Sequence, residues 1–291
     1  MMARRIGLVL HPRRDVSPQA AQIAQWAARH DTEVLVRAAD RDRVGADVTP
    51  VDEGELAASC LGLVSLGGDG TMLGALRLVA QSPIPVLGVN LGKLGFLAEV
   101  DPDKLPAALD RLIAGDFTIE PHPCLVVRMS DTMALAFNDV AISRVPGAGF
   151  VQATLTVSGN RHGYFRCDAL IVATPTGSTA YSYAAGGPVV SPAVEGVLIT
   201  PASPASGISR PLLLAADELV RLELIEGSGS PALEVDGPVL RHLHAGEVVE
   251  ISFRRDAGQV VRLDARAFEE RNRLKLSLLD LPLLPDELKG L

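Results

Sequence analysis

Apolar residues follow two different rhythms along this chain. Over the first 120 or so residues, short apolar runs alternate with stretches whose apolar positions recur at helical spacing. That alternation is the pattern of βαβ units on a parallel sheet. Residues 6–10 read as the first strand, and Ser17-Pro18 offers an N-cap followed by proline at a helix start, with the helix running to about residue 29. Further strands are expected over 33–37, 61–66 and 85–89, with a polar, acidic surface loop over 41–55. Asp101-Pro102 opens another helix that ends near Gly115. Past Phe117 the rhythm changes to β-branched and alternating runs at 125–129, 134–142, 151–157, 170–173, 197–200, 219–224, 232–235, 248–253 and 260–263. Glycine and proline punctuate them, which predicts a β-rich, sandwich-like domain. Residues 268–279 look helical again. The expected organisation is an α/β nucleotide-binding domain with a parallel sheet over 1–120 and a β-rich domain over 121–265. A C-terminal helix and tail, 266–291, returns to the first domain.

Composition narrows the class. Hydrophobic residues make up 47% of the 291 positions and aromatics 4%, so aliphatic side chains must fill a sizeable core. The net charge of −8 argues against a general nucleic-acid binder but leaves room for a nucleotide held by backbone N–H groups. No apolar run approaches the ~20 residues of a membrane span. Cys60, Cys124 and Cys167 are scattered without CxxC spacing, which fits a reducing cytoplasm and no zinc site. His242 and His244 could share a strand face, but no third ligand is spaced near them.

The chemistry-bearing stretches are few. SLGGDGTML places Gly67, Gly68, Asp69, Gly70 and Thr71 between a strand and a helix, at the sheet edge where α/β folds bind ligands. Free N–H groups there favour a phosphate, although the lysine of the GxxxxGK[ST] loop is missing. An acid beside phosphate is repelled unless it holds Mg²⁺ or takes a proton from an attacking hydroxyl. Asp69 as a plain helix cap is the alternative, and a lone strand–GGDG–helix leaves the two open. GVNLGKLGFL, residues 88–97, brings Asn90 and Lys93 to the same edge. Asn138-Asp139 lies in an apolar strand context, where a polar pair needs partners. An amide and a carboxylate suit ribose hydroxyls and an adenine edge; standing alone, the pair would read as an Asx turn. RCDALIVATPTGSTAYSYAAGGPVVSP, residues 166–192, carries hydroxyls, glycines and two of the three tyrosines. Such a run is costly to order unless it wraps a ligand, and its aromatic rings could stack on a base. The simpler reading is a hairpin and turn. Asp236-Gly237 reads as a turn.

Taken together and in this order, GGDGT, GVNLGKLGFL, the Asn-Asp pair and TPTGSTAY resemble the NAD kinase family over most of the chain. The resemblance implies ATP- and Mg²⁺-dependent phosphorylation of the adenosine ribose 2′-hydroxyl of NAD. By that resemblance Asp69 is the general base, and Gly67, Gly68, Gly70 and Thr71 bind phosphate. Asp69, Gly70, Asn138, Asp139, Arg166, Asp168, Thr179, Ala180, Tyr181, Ser182, Tyr183 and Ala184 line the NAD site. It also implies a homo-oligomer, commonly a dimer or tetramer, whose site is completed across a subunit interface. This chain departs from the family pattern at Ala169, Ala184, Ala205 and Pro238. GGDG is shared with lipid kinases, and a non-catalytic dinucleotide sensor could keep the same pocket. No amphipathic membrane helix supports the first of these rivals, and a retained Asp69 argues against the second.

Overall fold

The computed structural model describes residues 4–45, 47–92 and 95–264. The expected helix over 268–279 lies outside the described residues, as does Lys93. In chain order the elements are β1 (Arg4–Leu10), α1 (Ser17–Arg29), β2 (Thr32–Arg37), β3 (Thr49–Val51), α2 (Glu53–Ser59), β4 (Gly62–Gly67), α3 (Asp69–Val79), β5 (Pro85–Asn90) and α4 (Leu105–Ala114). They continue with β6 (Thr118–Arg128), β7 (Met133–Ala136), β8 (Asp139–Ser143), β9 (Val151–Val157), β10 (Asn160–Cys167), β11 (Ala169–Ala173), α5 (Tyr181–Ala184), β12 (Gly196–Ala202), β13 (Ser206–Gly207), β14 (Leu212–Ala215), β15 (Val220–Leu224), β16 (Ala232–Val235), β17 (Val239–His242) and β18 (Val248–Arg262). Two compact units result among the described residues: one holds those up to Pro121 together with Ala257 to Asp264, the other His122–Asp256.

In the first unit the strands run parallel in the order β3-β2-β1-β4-β5, with the last residues of β18 beside β5. Every residue of β4 is buried, as a central parallel strand covered on both faces requires. Helix α1 buries Ala20, Ile23, Trp26 and Ala27, the stripe that helical spacing dictates, and packs beside α4. Helices α2 and α3 pack together. The expected loop over 41–55 contains β3 and the start of α2, whose N-cap Asp52 accepts a 2.7 Å bond from the Glu55 N–H. Such short polar elements carry too little periodicity to be read from the sequence. Ser17 lies inside α1 and gives both its N–H and its hydroxyl to Asp15, so it does not cap the helix.

The second unit is a pair of antiparallel sheets, one ordered β14-β12-β11-β8-β16-β17 and the other β13-β10-β9-β15 with the first residues of β18. Inward side chains of both sheets, among them Val140, Leu155, Phe165, Leu170, Val172, Leu222 and Ile251, form one buried cluster. Strand β10 escaped sequence reading because its residues, NRHGYFRC, do not alternate cleanly. The two expected strands over 248–253 and 260–263 are one continuous strand, β18. Among the described residues no helix is long and apolar enough to cross a membrane.

Candidate active site

Strand β4 ends at Gly67, and helix α3 starts two residues later with Gly68 as its N-cap. None of Gly67, Gly68 and Gly70 uses a left-handed backbone, so the turn does not need glycine for its dihedral angles. Gly67 is required by packing: a Cβ there would lie 2.1 Å from the Thr71 hydroxyl. Around Gly68, Gly70 and Gly74 a Cβ would meet nothing within 4 Å. Their bare backbone faces open space, where a ligand could approach N–H groups of the first helical turn. A cavity of about 880 Å³ opens there, lined by Gly70, Thr71 and Gly74, with Arg37 and Arg77 among its cationic residues. The Thr71 hydroxyl is buried and finds no hydrogen-bond partner among the described residues.

Asp69 does not cap its own helix. Its carboxylate accepts the N–H groups of Phe96 at 2.7 Å and Leu97 at 2.9 Å, both from the loop that follows β5. Gly95 makes this possible, because a Cβ on it would lie 2.2 Å from one Asp69 oxygen. The carbonyls of the same two residues are held from the other side. The Arg262 guanidinium donates to Leu97 O at 2.9 Å and Phe96 O at 3.3 Å. Arg262 is buried and also pairs with Glu120 and Glu99. Peptide groups 96 and 97 are thus gripped on both edges, and they in turn fix Asp69. Sequence reading missed Glu99, Glu120 and Arg262, since lone charged residues far apart in the chain give no local signal.

In the second unit, Asn138 and Asp139 sit where β7 ends and β8 begins. The Asp139 carboxyl is buried and receives the Tyr181 backbone N–H. Burial first, and then the neighbouring Asp236 charge, push its pKa up to about 7. The Asn138 carbonyl accepts the Thr174 N–H at 2.9 Å. Gly177 lies so close to that carbonyl that a Cβ would stand 2.0 Å away. The pair and the TPTGSTAY run are therefore brought together. The hydroxyls of that run are mostly spent internally. Thr174 bonds the Phe137 carbonyl at 2.7 Å, Ser178 the Pro175 carbonyl at 2.6 Å, and Ser182 bonds Thr200 at 2.8 Å. The Thr179 hydroxyl donates over a long 3.4 Å to the Thr176 carbonyl. Tyr181 and Ala184 are exposed, while Ala180 and Tyr183 are half-buried.

Arg166 and Asp168 lie elsewhere. In the β8–β11 ladder Asp139 pairs with Ala173 and Ser143 with Ala169. The residues just before Ala169 are thus about four strand positions, roughly 13 Å, from the Asp139 end. There the Arg166 guanidinium sits 4.1 Å over the Phe150 ring and Asp168 pairs with Arg144 at 2.7 Å. His242 stands exposed on β17, and among the described residues no group of three His, Cys, Asp or Glu side chains is arranged to hold a metal.

Comparison with known proteins gives a consistent result. Residues 6–117 match the ATP-NAD kinase N-terminal domain and residues 137–263 the ATP-NAD kinase C-terminal domain. An NAD kinase of Rhodococcus erythropolis is 36% identical over 297 residues, covering 95% of this chain and 94% of that protein. Among solved structures, an NAD kinase from Archaeoglobus fulgidus in complex with ATP is 25% identical, with a TM-score of 0.71 over 95% of this chain and 98% of that one. Yeast NADH kinase complexed with NADH shares the fold at 24% identity, with a TM-score of 0.81 over 94% of this chain and 88% of that one.

Proposed function

Because this chain belongs to the NAD kinase family and phosphorylates NAD, we propose that ATP with Mg²⁺ is its phosphoryl donor and Asp69 the base that receives the 2′-hydroxyl proton. The observation that carries the assignment is the grip on Asp69: a carboxylate held by two backbone N–H bonds, beside glycines that face open space. A carboxylate so held is pre-oriented and keeps lone pairs for a substrate hydroxyl. The triphosphate would lie against the first turn of α3, with Gly67, Gly68, Gly70 and Thr71 around it; of these, Gly70 and Thr71 line the 880 Å³ cavity, which extends between α2 and α3. Magnesium commonly binds through nucleotide phosphates, water and one or two carboxylates, so a cation carried in by ATP fits a site with Asp69 at its edge. When bound it would neutralise charge on the transferring phosphoryl group.

Asn138 and Asp139 would hold the adenosine half of NAD, with Gly70, Thr179, Ala180, Tyr181, Ser182, Tyr183 and Ala184 around the dinucleotide. Ser182 would act through the loop it fastens to Thr200, since its hydroxyl is buried. Arg166 and Asp168 would serve NAD from a second copy of the chain. Their separation from Asp139 along the β8–β11 ladder supports a homodimer or homotetramer. The exposed Val239 and Leu240 on the edge strand β17 support it too. Three buried free cysteines fit the reducing cytoplasm.

The test is purified protein with NAD, ATP and Mg²⁺, with NADP read through a coupled NADP-specific dehydrogenase. Formation of NADP only when a nucleoside triphosphate and a divalent cation are both present is the expected outcome. Binding of NAD with no turnover on any donor would refute the assignment of Asp69. Light scattering should give a mass above the 30.6 kDa of one chain.

A further inference from the structure

Asn138 and Asp139 do not hold themselves in place. Strand β7 stops at Ala136 and β8 starts at Asp139, so the backbone between them leaves the sheet ladder. Its N–H groups still need acceptors, because the segment is largely buried. Asp236 provides them. One of its carboxylate oxygens accepts the N–H groups of Asn138 at 2.7 Å and Asp139 at 3.1 Å, and the other accepts that of Phe137 at 3.1 Å. The Asp236 N–H returns a 2.9 Å bond to the Asp139 carbonyl. On the opposite edge the Thr174 N–H and Gly177 clamp the Asn138 carbonyl. Asp236 adopts a left-handed backbone, φ 48°, in the turn between β16 and β17, which aims its side chain back at these three peptides.

A turn needs no such convergence. A carboxylate that collects three consecutive N–H groups fixes the backbone on which two functional side chains stand. We propose that Asp236 is a positioning residue for NAD, ordering residues 137–139 and thereby setting the directions of the Asn138 and Asp139 side chains. This rests on the reading of that pair as the adenosine-binding residues. The electrostatics carry a second consequence. Asp139 faces Asp236 from the turn, Glu234 from β16 and the Tyr181 N–H from α5. Both carboxylates raise its pKa, after burial, and the N–H opposes them. Asp236 therefore also shifts the pH at which Asp139 ionises.

Asp236→Asn separates positioning from turn closure. Asparagine tolerates the left-handed backbone as aspartate does, so the turn is kept. It has one acceptor oxygen where aspartate has two, so at least one of the three N–H groups loses its partner. The variant and wild type are compared for KM of NAD, KM of ATP and kcat between about pH 6 and 8.5, with melting temperature as a fold check. The expected result is a rise of about tenfold in KM for NAD, with kcat and KM for ATP little changed. The pH midpoint of NAD affinity should also move down, because a negative neighbour of Asp139 has gone. Asp236→Glu keeps the charge but shifts the oxygens by one methylene. It should raise KM for NAD while leaving the pH midpoint near that of wild type, and it stands in if the asparagine variant does not fold. Unchanged KM for NAD and an unchanged midpoint in folded Asp236→Asn would overturn the proposal. Asn138→Ala is measured alongside. If it too leaves KM for NAD unchanged, the adenosine-binding reading fails; if it raises KM while Asp236→Asn does not, only the positioning role fails.

Discussion

Replacing Gly95 by alanine tests the placement of the proposed base without altering its chemistry. Gly95 does not occupy the left-handed region, so the substitution acts through space alone. Its new methyl would lie 2.2 Å from one Asp69 oxygen, 2.6 Å from Cγ and 2.8 Å from the other oxygen, against an ordinary contact of 3.4 Å or more. Either the carboxylate or the 95–97 loop must therefore withdraw by roughly 1 Å. The loop is tied through its carbonyls to buried Arg262, so the carboxylate is the freer partner. A shift of about 1 Å at a reacting group can cost about 10²-fold in rate. We therefore expect Gly95→Ala to lower kcat by about 10²-fold. KM for NAD should change little, since Asn138 and Asp139 are untouched. Steady-state kinetics with varied NAD, together with a thermal melt, measures both. A well-folded Gly95→Ala protein with kcat close to wild type would refute the idea that a tightly placed Asp69 carries the proton transfer.

The other predictions follow from the same contacts. Asp69→Asn should lose ~10²–10⁴ in kcat, the usual range for a general base, with a much smaller change in NAD affinity; partial rescue by raised Mg²⁺ would instead point to cation binding. Asp139 titrates near 7 in the folded protein against an ordinary 3.8, so the native state holds its proton more tightly than the unfolded chain. Its contribution should erode stability as pH rises from about 4 to about 7. Asp139→Asn should remove that part of the pH dependence, and urea denaturation at pH 5 and at pH 8 would check it. Arg262→Met leaves buried Glu99 and half-buried Glu120 without this cation and should cost ~3–5 kcal/mol of stability by urea denaturation. Below its unfolding range the variant should also lose kcat, because the carbonyl anchor of peptides 96 and 97 is gone.

Local chemistry made several features legible from the residues alone. Apolar runs of strand length and helical stripes marked β1, α1, β4, α3 and β5, because burial on one or both faces imposes a period on neighbouring positions. The glycine turn after β4 marked the strand-to-helix joint at the sheet edge, and alternation past Phe117 announced the antiparallel unit. Where no local period exists the sequence is silent: β3, α2, the polar β10 and the short β13, β14 and β17 are not legible, the run over 134–142 is two strands, β7 and β8, and the runs over 248–253 and 260–263 are one, β18. The roles of the glycines are set by tertiary contacts. Gly67 and Gly95 are explained by what touches them, Thr71 and Asp69, not by their dihedral angles. Asp236 read as a turn residue because a turn is a local property, whereas its three N–H bonds reach about a hundred residues back in the chain. Asp69 looked like either a cap or a base. Only the fold brought Phe96 and Leu97 to its oxygens and Arg262 behind them, because long-range hydrogen bonds depend on which strands lie side by side and leave no spacing in the sequence.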